Sequence, residues 1–580
     1  MDDFSNRGEL DQRFFWHFYN KTKRGVKGIH PIKDDHGNLI TDVNEIRKEW
    51  NRYYSQLFSD NYLYKGDPQF YESICRELEF IRSIEADSPY LKGGVITFDE
   101  VCLLISKLKL LKACGWDEIS NEHLKYSGEL TKSTITWMLN KIVEKEYIPK
   151  NLKRGFIISL PKPNKDPTVK SDNRGITLLP VLYKLLENII YERERQWIFD
   201  HEVMNEIQGA GRKKISCLHT SFLVQEGVSF CLDKYKKACQ TCLDIMKAFD
   251  SVWLSGFLVK LHRSGMHVKT WRLLDQAYIG FECAAFVGGI PAEWFVVMRG
   301  VRQGAPLSMP FYQISFNDLL VELRESNAGI VINGINATSP AHADDLALVA
   351  PYRLAMNKLL SIAYNHSIVW FYDFGITKCF CIEWGEFSRA ERQIPIKLGP
   401  HSIAVVSNTK HMGLTLTNNT KDCHDTYLKR ISDMKSVVFA GRALGSHLVP
   451  VVPSVMNRIY NSVAVPRGLY GFEVVPINES GLQEMEKAQK MFAKVIQGLP
   501  NNCPSVSVLA TMGWLTIDSR IAISKLVFLW RILCLPLNSI YRTVLLHFLQ
   551  AGINNDNYFN ASSPTYSMLI YTRKFNLLIS

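Results

Sequence analysis

Val101, Leu104, Ile105, Leu108 and Leu111 recur at the three- and four-residue spacing of one helix face, and Thr97 with Glu100 stands before them as a capping box. The spacing predicts a core-facing helix that runs until Gly115 stops it. A second helical face, Phe316, Leu320 and Leu323, follows Arg302-Gln303-Gly304. Beyond about residue 420 the pattern becomes helical, most clearly over Gly481 to Gln497, where Leu482, Met485, Phe492, Val495 and Ile496 point inward and Gly498 and Pro500 are stop signals. Short apolar runs predict strands instead. These are Gly155 to Leu160, closed by Pro161-Lys162-Pro163, then Ala238 to Ile245, and Ser339 to Ala350 with its turn. Asp34-Asp35-His36-Gly37-Asn38 reads as a turn between two strand-like ends, within a stretch from Leu10 to Phe58 that looks like a connector. No fixed-period repeat indicates a solenoid.

With 580 residues, 46% hydrophobic and 22% charged, 35 Gly and 23 Pro, the chain is globular and long enough for several domains. Collagen-like and largely disordered classes are excluded. The net charge of +11 mildly favours an anionic partner, and its distribution says more than its size. Lys150, Lys153, Arg154, Lys162, Lys165, Lys170 and Arg174 outnumber Asp166 and Asp172, placing a net +5 on the segment around one strand and the loop that leaves it. Thirteen irregularly spaced cysteines predict free thiols in a reducing compartment, nuclear or cytoplasmic. Met1 to Arg13 lacks the apolar run of a secretory signal, and Ile521 to Leu537 is broken by Ser524, Lys525 and Arg531, so no membrane span is expected. Cys239-Gln-Thr-Cys242, Cys379-Phe-Cys381 and Cys423-His424 lack the second ligand pair that zinc needs, and no zinc site is expected.

The acidic positions carry the most chemistry. Asp244 lies in Cys-Leu-Asp-Ile-Met-Lys-Ala-Phe-Asp and Asp344-Asp345 in Ala-His-Ala-Asp-Asp-Leu-Ala-Leu, both wrapped in apolar residues. Adjacent carboxylates repel, and apolar surroundings raise their pKa unless a cation neutralises them, which suits a magnesium site. If the two strands are neighbours, three carboxylates meet at one end of a sheet, the arrangement that two-metal phosphoryl transfer requires. Each motif alone also fits a plainer role, the Asp-Asp in a turn and Asp244 as the cap of a helix beginning near Lys247. Their order along the chain argues otherwise. Lys162 to Arg174 comes first, then Asp244 and Phe249, then Arg299-Gly-Val-Arg-Gln-Gly-Ala-Pro-Leu-Ser308, then Asp344-Asp345, then Lys378.

In that order the chain resembles the reverse transcriptases of non-LTR (LINE-type) retrotransposons. The resemblance covers Gly115-Trp-Asp-Glu-Ile-Ser-Asn-Glu-His-Leu-Lys125, Leu160-Pro-Lys-Pro163 with Asn173-Arg-Gly-Ile-Thr-Leu178, and Gln208-Gly-Ala-Gly-Arg212. It continues through Asp244 to Trp253, the Gly-Val-Arg-Gln-Gly box, Ala-Asp-Asp, Phe374-Gly-Ile-Thr-Lys378 and His411-Met-Gly-Leu414. It implies that Asp244, Asp344 and Asp345 are the catalytic carboxylates, holding two Mg²⁺ ions for which Mn²⁺ could substitute. Phe249 would take the steric-gate position under the sugar. Gln303 and Gly304 would meet the incoming nucleotide, and Arg302 the template. Lys162 and Arg174 would neutralise triphosphate charge. Lys378 would be a cation near the pyrophosphate, able to act as general acid. Met412 and Gly413 would form a primer grip and His342 would pack on the primer side. His342 replaces the common Tyr or Phe, Ala305 a frequent acid, and Asn173-Arg-Gly the commoner Tyr-Arg-Pro; none of these removes a group that performs chemistry.

The implied fold is α+β, a right-hand polymerase with an antiparallel palm sheet and a helical thumb. Residues 1–94 would be an N-terminal connector, 95–235 the fingers, 236–420 the palm with the primer grip, 421–545 the thumb and 546–580 a C-terminal tail. The implied reaction is addition of dNTPs to a DNA primer on an RNA template, with target cleavage by a separate endonuclease. The alternatives are a catalytically inactive or maturase-like RNA-binding protein and an unrelated two-metal nuclease.

Overall fold

The computed structural model describes residues 29–60, 66–163, 165–200, 203–418, 420–443, 452–554 and 563–574. Met1 to Arg13 and the first part of the connector lie outside the described residues. The fold is α+β, and two sheets position the site. The first is built around Lys237–Leu243, whose Ala238, Cys239, Gln240 and Thr241 are fully buried, as expected of a central strand covered on both faces. Its strand order is Ala341–His342, Asp345–Ala350, Lys237–Leu243, Phe380–Gly385, Ala404–Val405. The first four strands pair antiparallel and the short Ala404–Val405 edge strand pairs parallel, so the expected antiparallel sheet gains one parallel edge. Helices Cys217–Tyr235 and Arg353–Val369 pack on its two central strands. In the second sheet Arg154–Pro161 lies between Asn173–Leu178, antiparallel, and Glu282–Val287, parallel. The basic segment at 150–175 is therefore a hairpin standing beside the central sheet.

Local expectations were met where capping and periodicity agree. Ile32–Lys33 and Leu39–Ile40 pair across the Asp34–Asn38 turn. Helix Ser308–Glu325 buries Phe316, Leu320 and Leu323, and Glu479–Gln497 ends on Gly498 at φ 68. The helix begun by Thr97 stops early, however, spanning only Phe98–Ser106, and Leu111 is 88% exposed. Thr97 does accept from the Glu100 N–H, but the Glu100 carboxylate is taken by Arg193 in a two-pronged ion pair instead of returning to the cap. No helix begins near Lys247; the next one is Leu254–Arg263, so Asp244 caps nothing. Cys239 and Cys242 occupy opposite faces of one buried strand, as an i, i+3 spacing requires. Cys423 and His424 lie on a helix where their side chains are outside the described residues. Among the described residues no single helix is long and apolar enough to cross a membrane.

Apolar burial divides the chain differently from the boundaries drawn on the sequence. One core runs from Ile32 through both sheets and takes in Phe528, Ile532, Tyr541, Phe548 and Met568; a second gathers residues between Tyr427 and Ile521. A division at 545/546 cuts helix Ile540–Asn554, and the expected tail contains helix Pro564–Lys574, whose Met568 and Leu569 are buried in the first core. Helices after 528 return to the sheet-bearing body because their apolar faces find partners there. The N-terminal stretch also joins this core, through Trp50, Tyr54, Ile74 and Leu78.

Candidate active site

Leu346 stands opposite Leu243 in the central ladder, so the next positions along the two antiparallel strands, Asp345 and Asp244, lie side by side at its end. Such cross-strand neighbours are roughly 4.5–5.5 Å apart at Cα. His342 pairs with Asp345, leaving Ala343 and Asp344 as a two-residue hairpin turn. Ala343 has φ 59, a left-handed conformation that costs a residue with a Cβ about 1–2 kcal/mol. Register and turn together carry Asp244, Asp344 and Asp345 to one end of the sheet.

Their electrostatics fit that crowding. Burial raises the Asp345 carboxyl to about 6, with the charges of Asp344 and Asp244 adding to the effect. Asp344 is raised by burial and by Asp244, against the pull of Arg174 and Lys378. Lys378 Nζ lies 2.9 Å from Asp244 Oδ2, so the cation expected at the pyrophosphate is an ion-pair partner of the first carboxylate here. Gly375 makes room for it. Its N–H donates to the Asp244 carbonyl at 2.8 Å, and a Cβ at this position would come within 2.8 Å of Asp244 Oδ2.

Around the carboxylates stand an aromatic floor and a basic wall. The half-buried Phe249 ring stacks on Tyr312, centroids 5.2 Å apart and planes 19° from parallel, and Tyr312 stacks in turn on Phe316. Burial raises the Tyr312 hydroxyl, as do the three nearby carboxylates, so it stays protonated. Lys162 is half-buried, donates to the Ser171 carbonyl at 2.8 Å, and is lowered by burial and by Lys378, Arg174 and Lys247. Arg174 is exposed on strand Asn173–Leu178 and near enough to lower Asp344. Lys247, over the Tyr53 ring at 4.8 Å, joins this group and was missed by the sequence reading, as was Tyr312. The signal for Lys247 was its place three residues after Asp244; Tyr312 gave none, being one aromatic on a helix. Asp250, raised by burial to about 6, lies in an adjoining cleft of about 240 Å³ with Tyr53, Lys247 and Arg299.

The remaining expected residues divide. Gln303 accepts the Thr177 N–H through its carbonyl at 2.9 Å, and Gly304, at φ 123, lies so close that a Cβ would sit 2.9 Å from the Thr177 carbonyl. Both hold the Arg302–Ala305 loop against the basic hairpin. Arg302 itself corrects the expectation of a nucleic-acid contact. It is 4% exposed, donates to Tyr183 and the Ala277 carbonyl, pairs with Glu187 at 3.4 Å, and lies among the Tyr183, Tyr278 and Phe281 rings. A guanidinium enclosed this way reaches no solvent-borne phosphate. His342 is half-buried, 3.2 Å from Thr220 Oγ1, with its pKa lowered by burial. Met412 and Gly413, at φ 49 and 77, turn the Asn408–His411 and Leu414–Thr417 hairpin. Gly413 is exposed, whereas Met412 is 9% exposed and its sulfur accepts from Ser221, so only backbone is presented at that tip.

Oxygen donors of like charge, with Asp344 and Asp345 raised by burial and further by neighbouring carboxylates, fit a hard divalent cation. Among the described residues no group of three His, Cys, Asp or Glu side chains is already gathered for metal binding. Asp244 is engaged by Lys378.

Residues 160–416 match the family model described as reverse transcriptase (RNA-dependent DNA polymerase). The chain is 24% identical over 437 residues to the RNA-directed DNA polymerase from mobile element jockey of Drosophila funebris, covering 71% of this chain and 45% of that protein. The jockey polymerase of Drosophila melanogaster is 24% identical over 482 residues, 77% of this chain and 49% of that one. The probable RNA-directed DNA polymerase from transposon X-element of the same species is 25% identical over 419 residues, 69% and 44%. The chain thus spans about half the length of the curated relatives it matches.

Proposed function

We propose that this chain, which carries a reverse transcriptase domain homologous to the polymerases of LINE-type mobile elements, is the RNA-directed DNA polymerase of a non-LTR retrotransposon. It adds dNTPs to a primer 3′-hydroxyl on an RNA template. The observation that carries this reading is the placement of Asp244, Asp344 and Asp345 at one end of the central sheet, with Arg174 and Lys378 close enough to act on Asp344 and Lys162 close enough to feel both of those cations. In right-hand terms the central sheet is the palm, the Arg154–Leu178 hairpin and the helices before it the fingers, and the Tyr427–Ile521 core the thumb. The expected division into 1–94, 95–235, 236–420, 421–545 and 546–580 is kept as part of this reading, with helices Ile540–Asn554 and Pro564–Lys574 packed on the first core.

Asp244, Asp344 and Asp345 would hold Mg²⁺. When bound, the ions neutralise phosphate charge and favour the ionised form of the attacking hydroxyl. Arg174 and Lys162 stabilise the triphosphate oxygens as charge builds in the transition state. Lys378, released from Asp244, stands where it can give its proton to the departing pyrophosphate. The Phe249 ring, braced by Tyr312, excludes a 2′-hydroxyl by contact. The Met412-Gly413 turn offers backbone groups to the primer end. Nuclear or cytoplasmic residence belongs to the same reading.

Primer extension on poly(rA)/oligo(dT) with dTTP and Mg²⁺ tests it. The parental chain extends, and Asp344→Asn binds the template without extending. Binding without incorporation by the parental chain would favour an inactive or maturase-like RNA-binding protein, and primer degradation would point to a nuclease.

A further inference from the structure

Gln208 opens the Gln208-Gly-Ala-Gly-Arg212 segment and is fully buried. Its amide grips both backbone polar groups of a single residue. Oε1 accepts the Ala343 N–H at 2.8 Å and Nε2 donates to the Ala343 carbonyl at 3.1 Å. Ala343 is the left-handed residue that immediately precedes Asp344. On either side of this grip the two segments pair as parallel backbone, with Gly209 N–H to the Ala341 carbonyl at 2.9 Å and Ala341 N–H to the Ile207 carbonyl at 3.1 Å.

The grip is itself anchored. Gln208 Oε1 also accepts from the Ala210 N–H at 3.3 Å, and Gln313 Nε2 donates to the Ala210 carbonyl at 2.7 Å. Arg212 Nε donates to the Gln208 carbonyl at 3.0 Å while its remaining nitrogens hold the Phe199, Met204 and Asn205 carbonyls. The primary amide offers a donor and an acceptor on one plane; an ionised carboxylate offers acceptors alone and an alkyl group neither.

We infer that Gln208 is a positioning residue of the polymerase site: by holding Ala343 in its left-handed turn it sets where the Asp344 and Asp345 carboxylates point. The inference rests on the polymerase reading and deepens it. Without the grip the turn is free to relax to a commoner backbone conformation, and both carboxylates swing with it. The loss of two buried hydrogen bonds at the turn would lower the extension rate by roughly tenfold or more.

The test compares Gln208→Leu and Gln208→Glu with the parental chain in four measurements: extension kinetics, template–primer affinity, melting temperature, and Mn²⁺ binding to the free protein by electron paramagnetic resonance. Gln208→Leu is expected to lose kcat by roughly tenfold or more and to bind Mn²⁺ more weakly, with template–primer affinity at the parental value. Gln208→Glu keeps the acceptor and loses the donor when ionised, so it falls between at a pH above the titration of its carboxyl. Parental kcat and Mn²⁺ affinity in both variants, or a loss that follows template–primer affinity alone, overturns the inference. If Gln208→Leu does not yield folded protein, Gln208→Glu decides by the same criteria at a parental melting temperature. A parental chain that never extends overturns the polymerase reading instead, and the Mn²⁺ titration then decides the role of Gln208.

Discussion

Replacing Arg302 with Met separates two roles that the same residue could have. The Arg302 and Glu187 side chains are 2% and 4% exposed, so removal of the guanidinium leaves a buried carboxyl behind, takes one partner from the Tyr183 hydroxyl and strands the Ala277 carbonyl. Breaking a buried pair by deleting one member costs about 3–5 kcal/mol. Two features place this case at the low end. Arg302 Nε and Glu187 Oε2 have no hydrogen-bond partner, so the network is incompletely satisfied to begin with. Burial also pushes the Glu187 carboxyl up against the pull of Arg302, and it can take up a proton once that pull is gone. Lost contact with three aromatic rings, at about 0.5–2 kcal/mol each where desolvated, is partly offset by the Met side chain. A destabilisation of about 3 kcal/mol follows, to be read from urea unfolding by tryptophan fluorescence. Template–primer affinity of the folded variant, and its dependence on salt, should equal those of the parent. A variant of parental stability whose salt slope falls by about one, the signature of one lost phosphate contact, would refute the buried assignment.

Asp345→Asn should abolish extension at saturating Mg²⁺ with template binding retained, and residual extension at the parental rate would remove Asp345 from the site. Gly375→Ala, whose Cβ would fall 2.8 Å from Asp244 Oδ2, should displace that carboxylate from Lys378 and lower kcat without changing the melting temperature by more than a few degrees; unchanged kcat would show that the carboxylate has other room. Gly304→Ala must adopt φ 123 beside the Thr177 carbonyl, at a cost of about 1–3 kcal/mol, and should raise KM for dNTP as the loop shifts, which steady-state kinetics at fixed template–primer measures. The C-terminal helix carries a pH signature. Glu226, buried against Ser563 and Thr565, is raised by burial to about 7, so its protonated form is favoured on folding and stability falls as pH rises from about 4.5 to about 7. Lys525, buried against Ser567, is lowered by burial to about 7, so stability rises as pH climbs from about 7 towards 10.5. Glu226→Gln should remove the first slope and Lys525→Met the second in melting curves taken across pH; slopes unchanged in both would show that these groups do not titrate with folding.

Local chemistry was legible in the order of residues along the chain. Strand Lys237–Leu243, the Asp344-Asp345 turn, the Asp34–Asn38 hairpin and helix Glu479–Gln497 follow from side-chain periodicity, turn residues and caps, which act over a few positions and need no knowledge of the rest of the fold. The two acidic motifs, each set in apolar surroundings, were likewise legible as candidate positions for binding a cation. The tertiary structure decided what each charged group faces. Arg302 and Arg174 are indistinguishable by composition, yet one is enclosed by three rings and the other stands exposed on the basic hairpin, because burial is set by partners far away in sequence. The Glu100 carboxylate, expected to close the capping box of the Thr97 helix, is instead paired with Arg193, almost a hundred residues on. Gln208 acquired its role from Ala343, and Lys378 its partner from Asp244, through contacts more than a hundred residues apart. The residue sequence determines which groups can accept, donate or carry charge; which of them meet depends on the register of strands and the packing of helices, and these are cooperative properties of the whole core.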